Sequence, residues 1–399
     1  MFEGIPTAPP DPIFGLTAAY RQDPSSHKIN LGAGVFRDEM GRTPVLAAVK
    51  EAERRIWQDE DSKTYLAIGG NPKFAAHVQR LVLGRDQPLR TGDRLATVQT
   101  PGGTGAIRLA TGLLKNHRPD CAVWIPDSTW INHLQICRAA GLGTRSYPYL
   151  DQNRRALDLE RIVYTLGAAQ AGDAIILHGC CHNPSGIDPS PDQWRELAQL
   201  LKQRGLVPIV DFAYLGFGQG LVHDRTGILA LAEELDELMI CTSFSKNFAL
   251  YNERTGALTV ATASGLATAA VLSQLKAAAR VTYSNPPAHG AAIVSTILDS
   301  SEMATQWRDE LNAMRLRIVE MRRLFVEGLD KRQVALSPDG NQFLLQQRGM
   351  FSILGLSTEQ VDRLRADFSI YMVGSSRVNF ASMTTGSMDR LCDAIAQVA

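Results

Sequence analysis

Three short segments hold residue types that could share one reaction. Lys246 sits in Ser243-Phe244-Ser245-Lys246-Asn247-Phe248, directly after an apolar run. A lysine at the mouth of a sheet can form an imine with a carbonyl compound, and neighbouring hydroxyls with Arg254 can hold an anion beside it. The plainer alternative is a surface lysine at a strand end. Thr100-Pro101-Gly102-Gly103-Thr104-Gly105-Ala106 stands just before a helical pattern. Glycines allow a tight turn there, and the first backbone N–H groups of a helix face an anion, with phosphate as the expected guest. A structural turn is the competing explanation. The P-loop is excluded because no lysine follows, and a dinucleotide fingerprint because Arg108 stands where a small residue is required. Val210-Asp211-Phe212-Ala213-Tyr214 places a carboxylate at the end of an apolar run. A buried carboxylate needs a partner. A protonated pyridine nitrogen would be one, giving a ring able to absorb carbanion electrons; a helix cap would be another use.

The segment His178-Gly179-Cys180-Cys181-His182-Asn183-Pro184 offers four metal-ligand types. On a strand, neighbours would point to opposite faces, and no second pair follows at zinc spacing, so no metal is expected. Asn183 and Tyr214 are candidates to bond the phenolic oxygen of a ring. Trp130 and His133 share one helical start; core packing is the ordinary use of both, and stacking over a flat cofactor the sharper use of Trp130.

These residues require a scaffold. Apolar runs at Ala122–Ile125, Ala174–His178, Val207–Phe212, Met239–Phe244 and Ala257–Ala261 alternate with helical patterns, as in a mainly parallel sheet covered on both faces. Ser190-Pro191-Asp192-Gln193 combines an N-cap, a first-turn proline and a capping-box glutamine. Leu311, Met314, Ile318, Met321 and Phe325 recur at helical spacing, so one long helix buries that stripe. Its arginines, Arg315, Arg317, Arg322 and Arg323, are expected on a solvated flank. The spacing predicts an α/β chain with an extended arm over 1–10, a large domain over 43–313, and a smaller α+β domain from 11–42 and 314–399.

Composition narrows the function. Lys+Arg and Asp+Glu both number 41, so no global field favours nucleic acid or an anionic membrane. The first residues lack a basic region followed by an apolar run, and the Ala-rich stretch near Leu266 to Ala279 is too polar for a bilayer. Six scattered cysteines suit reduced thiols in a cytoplasmic enzyme.

Together the segments TPGGTGA, HGCCHNPSGIDP, DFAYLGF, SFSKNFALYNERTGA and YSNPPAHGA resemble, in order, the aspartate/aromatic aminotransferases, fold-type-I enzymes that use pyridoxal 5′-phosphate. The resemblance extends from Asp11-Pro12-Ile13 to Gly349-Met350-Phe351-Ser352. It implies that Lys246 carries the cofactor and moves the proton at the substrate carbon, and that Asp211, backed by His133, holds the pyridine N–H. Asn183 and Tyr214 would bond the ring oxygen, and Trp130 would lie on the ring. Gly103, Thr104, Ser243, Ser245 and Arg254 would bind the phosphate. Tyr65 would reach the neighbouring subunit's cofactor. Arg377 would pair the substrate α-carboxylate beside Gly34, and Arg280, given by the partner subunit, would pair a side-chain carboxylate.

The resemblance therefore implies a homodimer exchanging amino groups between an L-amino acid and 2-oxoglutarate. Arg280 with Val35, Arg37, Thr43, Thr64 and Asn285 leans toward aspartate. Phe244 and Ile353 depart from the family pattern and leave an aromatic or specialised donor open, an aromatic one with oxaloacetate or 2-oxoglutarate as acceptor. A lyase or decarboxylase on the same fold, a nicotinamide dehydrogenase and an effector-binding domain are the rivals. Two carboxylate clamps disfavour the first, and the last has no use for a reactive lysine.

Overall fold

The computed structural model describes residues 2–8, 12–153 and 155–399. Of the arm expected over 1–10, positions 1, 9 and 10 lie outside the described residues, and 2–8 contain neither helix nor strand. Asp11, where the resemblance begins, also lies outside them. The chain forms two compact units, Pro44–Leu316 and Met1–Thr43 with Arg317–Ala399.

The larger unit is built on seven strands: β1 (Leu95–Pro101), β2 (Ala122–Pro126), β3 (Gly143–Tyr147), β4 (Ala174–His178), β5 (Val207–Phe212), β6 (Leu238–Ser243) and β7 (Thr255–Ala261). Their order is β1-β7-β6-β5-β4-β2-β3. Only β7 runs antiparallel to its neighbours. The apolar runs of β4 and β6 are buried throughout, as expected where helices cover both faces. Val98, Ile107, Val123, Ile176, Ile209 and Leu258 join one core with helix residues Leu275 and Ala279. Helix Pro191–Arg204 has the full capping box between Ser190 and Gln193.

Three expectations need correction. The strand expected over Met239–Phe244 ends at Ser243; Phe244 has left it and packs in the core against Phe74 and Phe248. β1 and β3 were not anticipated, because LATVQTP and GTRSY are too polar for the apolar-run criterion. In β1 the buried Gln99 side chain is absorbed by backbone, accepting from Asn71 N–H (3.1 Å) and donating to Pro287 O (2.7 Å). The helix Ser301–Lys331 does bury Leu311, Met314, Ile318, Met321 and Phe325. Arg322, however, is not on a solvated flank. It is 2% exposed, donates to Gly349 O (2.9 Å) and lies 4.6 Å from the Phe380 ring.

In the smaller unit, Ile29–Asn30 pairs in parallel with Ile370–Tyr371, and Phe351–Ile353 antiparallel with Arg377–Asn379. The Asn379 amide donates to Ala33 O (2.6 Å) and Val35 O (2.8 Å), which fixes the loop carrying Gly34. Among the described residues no helix is long and apolar enough to cross a membrane.

Candidate active site

β1 ends at Pro101, and the helix Gly102–His117 begins at once, with no side-chain cap and no acidic residue in its first turn. Its first N–H groups therefore await an external acceptor. The approach of neighbouring elements depends on glycine. Gly102 has φ +73°, and a Cβ there would stand 2.5 Å from Arg254 Nη2. A Cβ on Gly256 would meet the Gly102 carbonyl carbon at 2.5 Å, and one on Gly103 would meet Ser243 Cβ at 3.2 Å. Ser243 Oγ donates to Ser245 Oγ (3.2 Å), and Arg254 Nη1 donates to Ser245 Oγ (3.4 Å) and Tyr251 O (2.9 Å). Thr104 lies in the same first turn. Among the described residues Arg254 forms no ion pair with a carboxylate. A cation without a counter-ion, hydroxyls and uncapped N–H groups meet around glycines: the donor set fits a phosphate.

Asp211, on β5, is buried beside its parallel neighbour His178 on β4. Its Oδ2 lies 3.0 Å from His133 Nε2; Thr129 Oγ1 lies 2.8 Å from His133 Nδ1 and 2.9 Å from His178 Nε2. The Asn183 N–H points at His178 Nδ1 (3.5 Å). The proton inventory assigns every direction. Since His178 Nδ1 accepts, neutral His178 must donate from Nε2 to Thr129 Oγ1. The single Thr129 proton then goes to His133 Nδ1, and His133 donates from Nε2 to Asp211. Burial pushes the His178 pKa down to about 3, so it stays neutral.

Burial alone would raise the Asp211 pKa. The His133 hydrogen bond, with the positive charge of Lys246, outweighs it, so Asp211 sits below the ordinary carboxylate range. This is a charged acceptor suited to a protonated pyridine nitrogen. The Lys246 amine is lowered from the usual lysine value, by burial first, with Arg254 acting in the same sense and Asp211 opposing. Its Nζ lies 4.9 Å from the centre of the Tyr214 ring. Trp130 packs edge-on to His133 at 5.4 Å, and Asn183 and Tyr214 are buried. The large unit thus gathers Lys246, Asp211, His133, Tyr214, Asn183 and Trp130 in one neighbourhood, and the Gly103, Thr104, Ser243, Ser245 and Arg254 cradle in a second to which Lys246 is electrostatically tied.

In the smaller unit Arg377 is 5% exposed, donates to Gly32 O (2.7 Å) and lies 4.3 Å from the Phe351 ring. A Cβ on Gly34 would meet the same ring at 3.2 Å, and Ile353 is the direct cross-strand partner of Arg377. Tyr65 and Arg280 are not gathered into the buried cluster. Tyr65 is 93% exposed; Arg280 is exposed and donates to Ser284 Oγ (2.5 Å).

Sequence reasoning missed Thr129 and the bridging role of His178. Neither carries a local signal, since the chain of bonds joins three segments far apart in sequence. It also misjudged Cys180 and Cys181 as facing apart. They lie beyond the end of β4, and Cys181 has φ +53°, so strand alternation does not govern them.

The family model described as Aminotransferase class I and II matches residues 26–395. The aspartate aminotransferase of Salmonella typhi is 47% identical over 398 residues, covering 100% of both chains. The aromatic-amino-acid aminotransferase of Pseudomonas aeruginosa is 43% identical, covering 100% of this chain and 98% of its own. Among solved structures, the aromatic-amino-acid aminotransferase from Burkholderia pseudomallei, covalently bound to pyridoxal phosphate, is similar at TM-score 0.96 and 40% identity, with 100% of this chain and 99% of that one covered.

Proposed function

The chain belongs to the class I and II aminotransferases, which use pyridoxal 5′-phosphate, and from this premise we propose that it moves the amino group of aspartate to 2-oxoglutarate. The observation that carries the reading is the one-directional bond chain ending on a charged Asp211, beside a buried amine of lowered basicity. When bound, the cofactor supplies the electron sink for the carbanion.

The chain's own residues do the rest. Asp211 would hold the proton of the pyridine nitrogen, with His133, Thr129 and His178 orienting its carboxylate. Asn183 and Tyr214 would bond the ring oxygen, and Trp130 would lie on the ring. Gly103, Thr104, Ser243, Ser245 and Arg254 would hold the phosphate. Lys246 Nζ, made less basic by its burial, would take up the proton that leaves the substrate Cα and hold it for redelivery, which is general acid–base catalysis. Arg377 clamps the α-carboxylate in a bidentate pair next to the Gly34 backbone.

Arg280 would pair the side-chain carboxylate of the substrate, and Tyr65 would bond the phosphate, each across a two-fold interface. Their exposure in the single chain supports completion by a second copy, hence a homodimer. Full activity in a strictly monomeric preparation would contradict it. The six free cysteines, five of them buried, support a reducing, cytoplasmic setting.

A second reading, transfer from aromatic donors, is favoured by Ile353, whose aliphatic side chain stands opposite Arg377. Phe244 does not bear on it, being fully buried in the core. Half-reactions of the cofactor-loaded enzyme with aspartate, phenylalanine, tyrosine and tryptophan decide between the two. Aspartate is expected to react fastest. Arg280→Ala removes one partner of a charge pair, which costs on the order of 100- to 1,000-fold with aspartate and under tenfold with phenylalanine. An unchanged aspartate rate in that variant overturns the dicarboxylate assignment.

A further inference from the structure

Two buried thiols and a buried carboxylate converge behind the loop that carries Asn183. Cys180 Sγ, Cys181 Sγ and a carboxylate oxygen of Asp224 all lie within 4.8 Å of one another. The three residues are 5%, 2% and 6% exposed, so none is a chance neighbour on the surface. Asp224 Oδ2 accepts the N–H groups of Gly216 (2.8 Å) and Gly218 (3.0 Å), while Oδ1 accepts only that of Gln219 (2.7 Å). Oδ1 therefore retains acceptor capacity. Among the described residues Asp224 has no ion pair; three backbone N–H groups and the more distant charge of Arg315 favour its ionised form, and burial still outweighs them. We propose that Cys180, Cys181 and Asp224 form a site for one thiophilic divalent cation of the Zn²⁺ or Cd²⁺ class, and that filling it switches off amino transfer.

The donor set selects the ion. Two sulfurs and one oxygen suit a soft or borderline cation and reject Mg²⁺ and Ca²⁺, which take oxygen. Binding forms two S–M bonds and one O–M bond, breaks two S–H bonds, and releases two protons to water with no change of oxidation state. The groups facing Cys180 are Cys181, Asp188 and Asp224; burial, with those neighbours, keeps its thiol protonated well above the usual range. Two displaced protons make the apparent affinity rise about 100-fold per pH unit.

The site is wired to the catalytic loops on both sides. Cys181 is followed by His182 and Asn183, and its Sγ contacts Tyr214 O (3.9 Å). Asp224 ties down Gly216 and Gly218, which follow Tyr214 in the chain. Metal bonds of about 2.0–2.3 Å hold tetrahedral ligand atoms roughly 3.5–3.8 Å apart, so the three groups close inward by up to about 1 Å. Asn183 and Tyr214 move with them. A displacement of that size costs on the order of 100-fold in rate.

The test titrates Cd²⁺ into the cofactor-loaded enzyme without amino acids. Equilibrium dialysis, proton release and the ultraviolet thiolate-to-metal band are read first, and amino transfer after dilution into substrate. The expected result is one Cd²⁺ and two protons per chain, with a rate loss on the order of 100-fold that a chelator reverses. The Cys180→Ser/Cys181→Ser variant should keep the metal-free rate, show no band and resist Cd²⁺. Asp224→Asn should keep the band with about tenfold weaker binding. If the double variant does not fold, Cys181→Ser alone serves. An equal band or equal inhibition in the serine variants overturns the site, and binding without rate loss overturns the switch. The inhibition arm rests on the amino-transfer reading; band and proton release do not, so the two fail separately.

Discussion

Replacing Gly102 by alanine tests the anion cradle at its tightest point. Gly102 has φ +73°, where a side chain costs about 1–2 kcal/mol. The added Cβ would stand 2.5 Å from Arg254 Nη2 and 3.1 Å from Cζ, so the guanidinium must move. Arg254 has little freedom to do so usefully: its backbone is held at φ +54°, and Nη1 is already bonded to Tyr251 O and Ser245 Oγ. Displaced, it forfeits a charge-assisted bond to the phosphate, about 1.5–3 kcal/mol. That converts to roughly 10- to 100-fold in affinity. The assay titrates apoprotein with pyridoxal 5′-phosphate and, in parallel, with pyridoxal, which has no phosphate. Gly102→Ala should raise the dissociation constant of the phosphate ester by about 10- to 100-fold and leave pyridoxal within about twofold. Equal losses for both ligands would show that the helix start does not act through the phosphate, and the cradle would fall.

Lys246→Ala should cost the half-reaction about 100- to 10,000-fold, with partial recovery on adding a small primary amine; rates near wild type would remove Lys246 as the proton carrier. Stability of the apoprotein should fall on acidification from pH 6.5. There the unfolded chain takes up protons that buried His178, held near pKa 3, refuses, and His182, also lowered by burial, acts in the same sense. The change is about 1.0 kcal/mol for each histidine between pH 6.5 and pH 5.5, steepening toward about 1.4 kcal/mol per pH unit below that. Asp211, lowered rather than raised, contributes stability that is kept above its ordinary value and lost only below it, so it leaves this window flat. Urea midpoints at pH 6.5 and pH 5.5 read the slope, which His178→Gln should roughly halve; a flat profile would contradict the burial argument.

How much of this was legible depended on whether the signal was local. Strands β2, β4 and β5 stood out because both their faces are apolar, while β1 and β3 hid because one edge strand is polar and the other buries its glutamine against backbone. Arg322 illustrates the same limit. Helical periodicity placed it on the outer flank, but the Phe380 ring and the Gly349 carbonyl from later in the chain supply an environment no periodicity encodes. Gly102, by contrast, was readable as a turn before a helix, since φ +73° is a local demand that glycine answers.

The hydrogen-bond chain behind Asp211 shows why a site can be recognised residue by residue and still be misunderstood. Lys246 and Asp211 were identifiable from their segments, yet what makes Asp211 useful is the fate of protons held by Thr129, His133 and His178. Each of those groups is ambiguous alone: a hydroxyl can give or take, and a neutral imidazole can hold its proton on either nitrogen. The Asn183 N–H removes the ambiguity, because a backbone donor can only give. One fixed donor at one end orders every later bond, and the last acceptor is Asp211 Oδ2, which takes the imidazole N–H. The direction of the hydrogen bond that Asp211 accepts is therefore set from Asn183, the residue that would also contact the ring oxygen. A metal on Cys180 and Cys181 that shifts this loop would reach the pyridine nitrogen and the ring oxygen together.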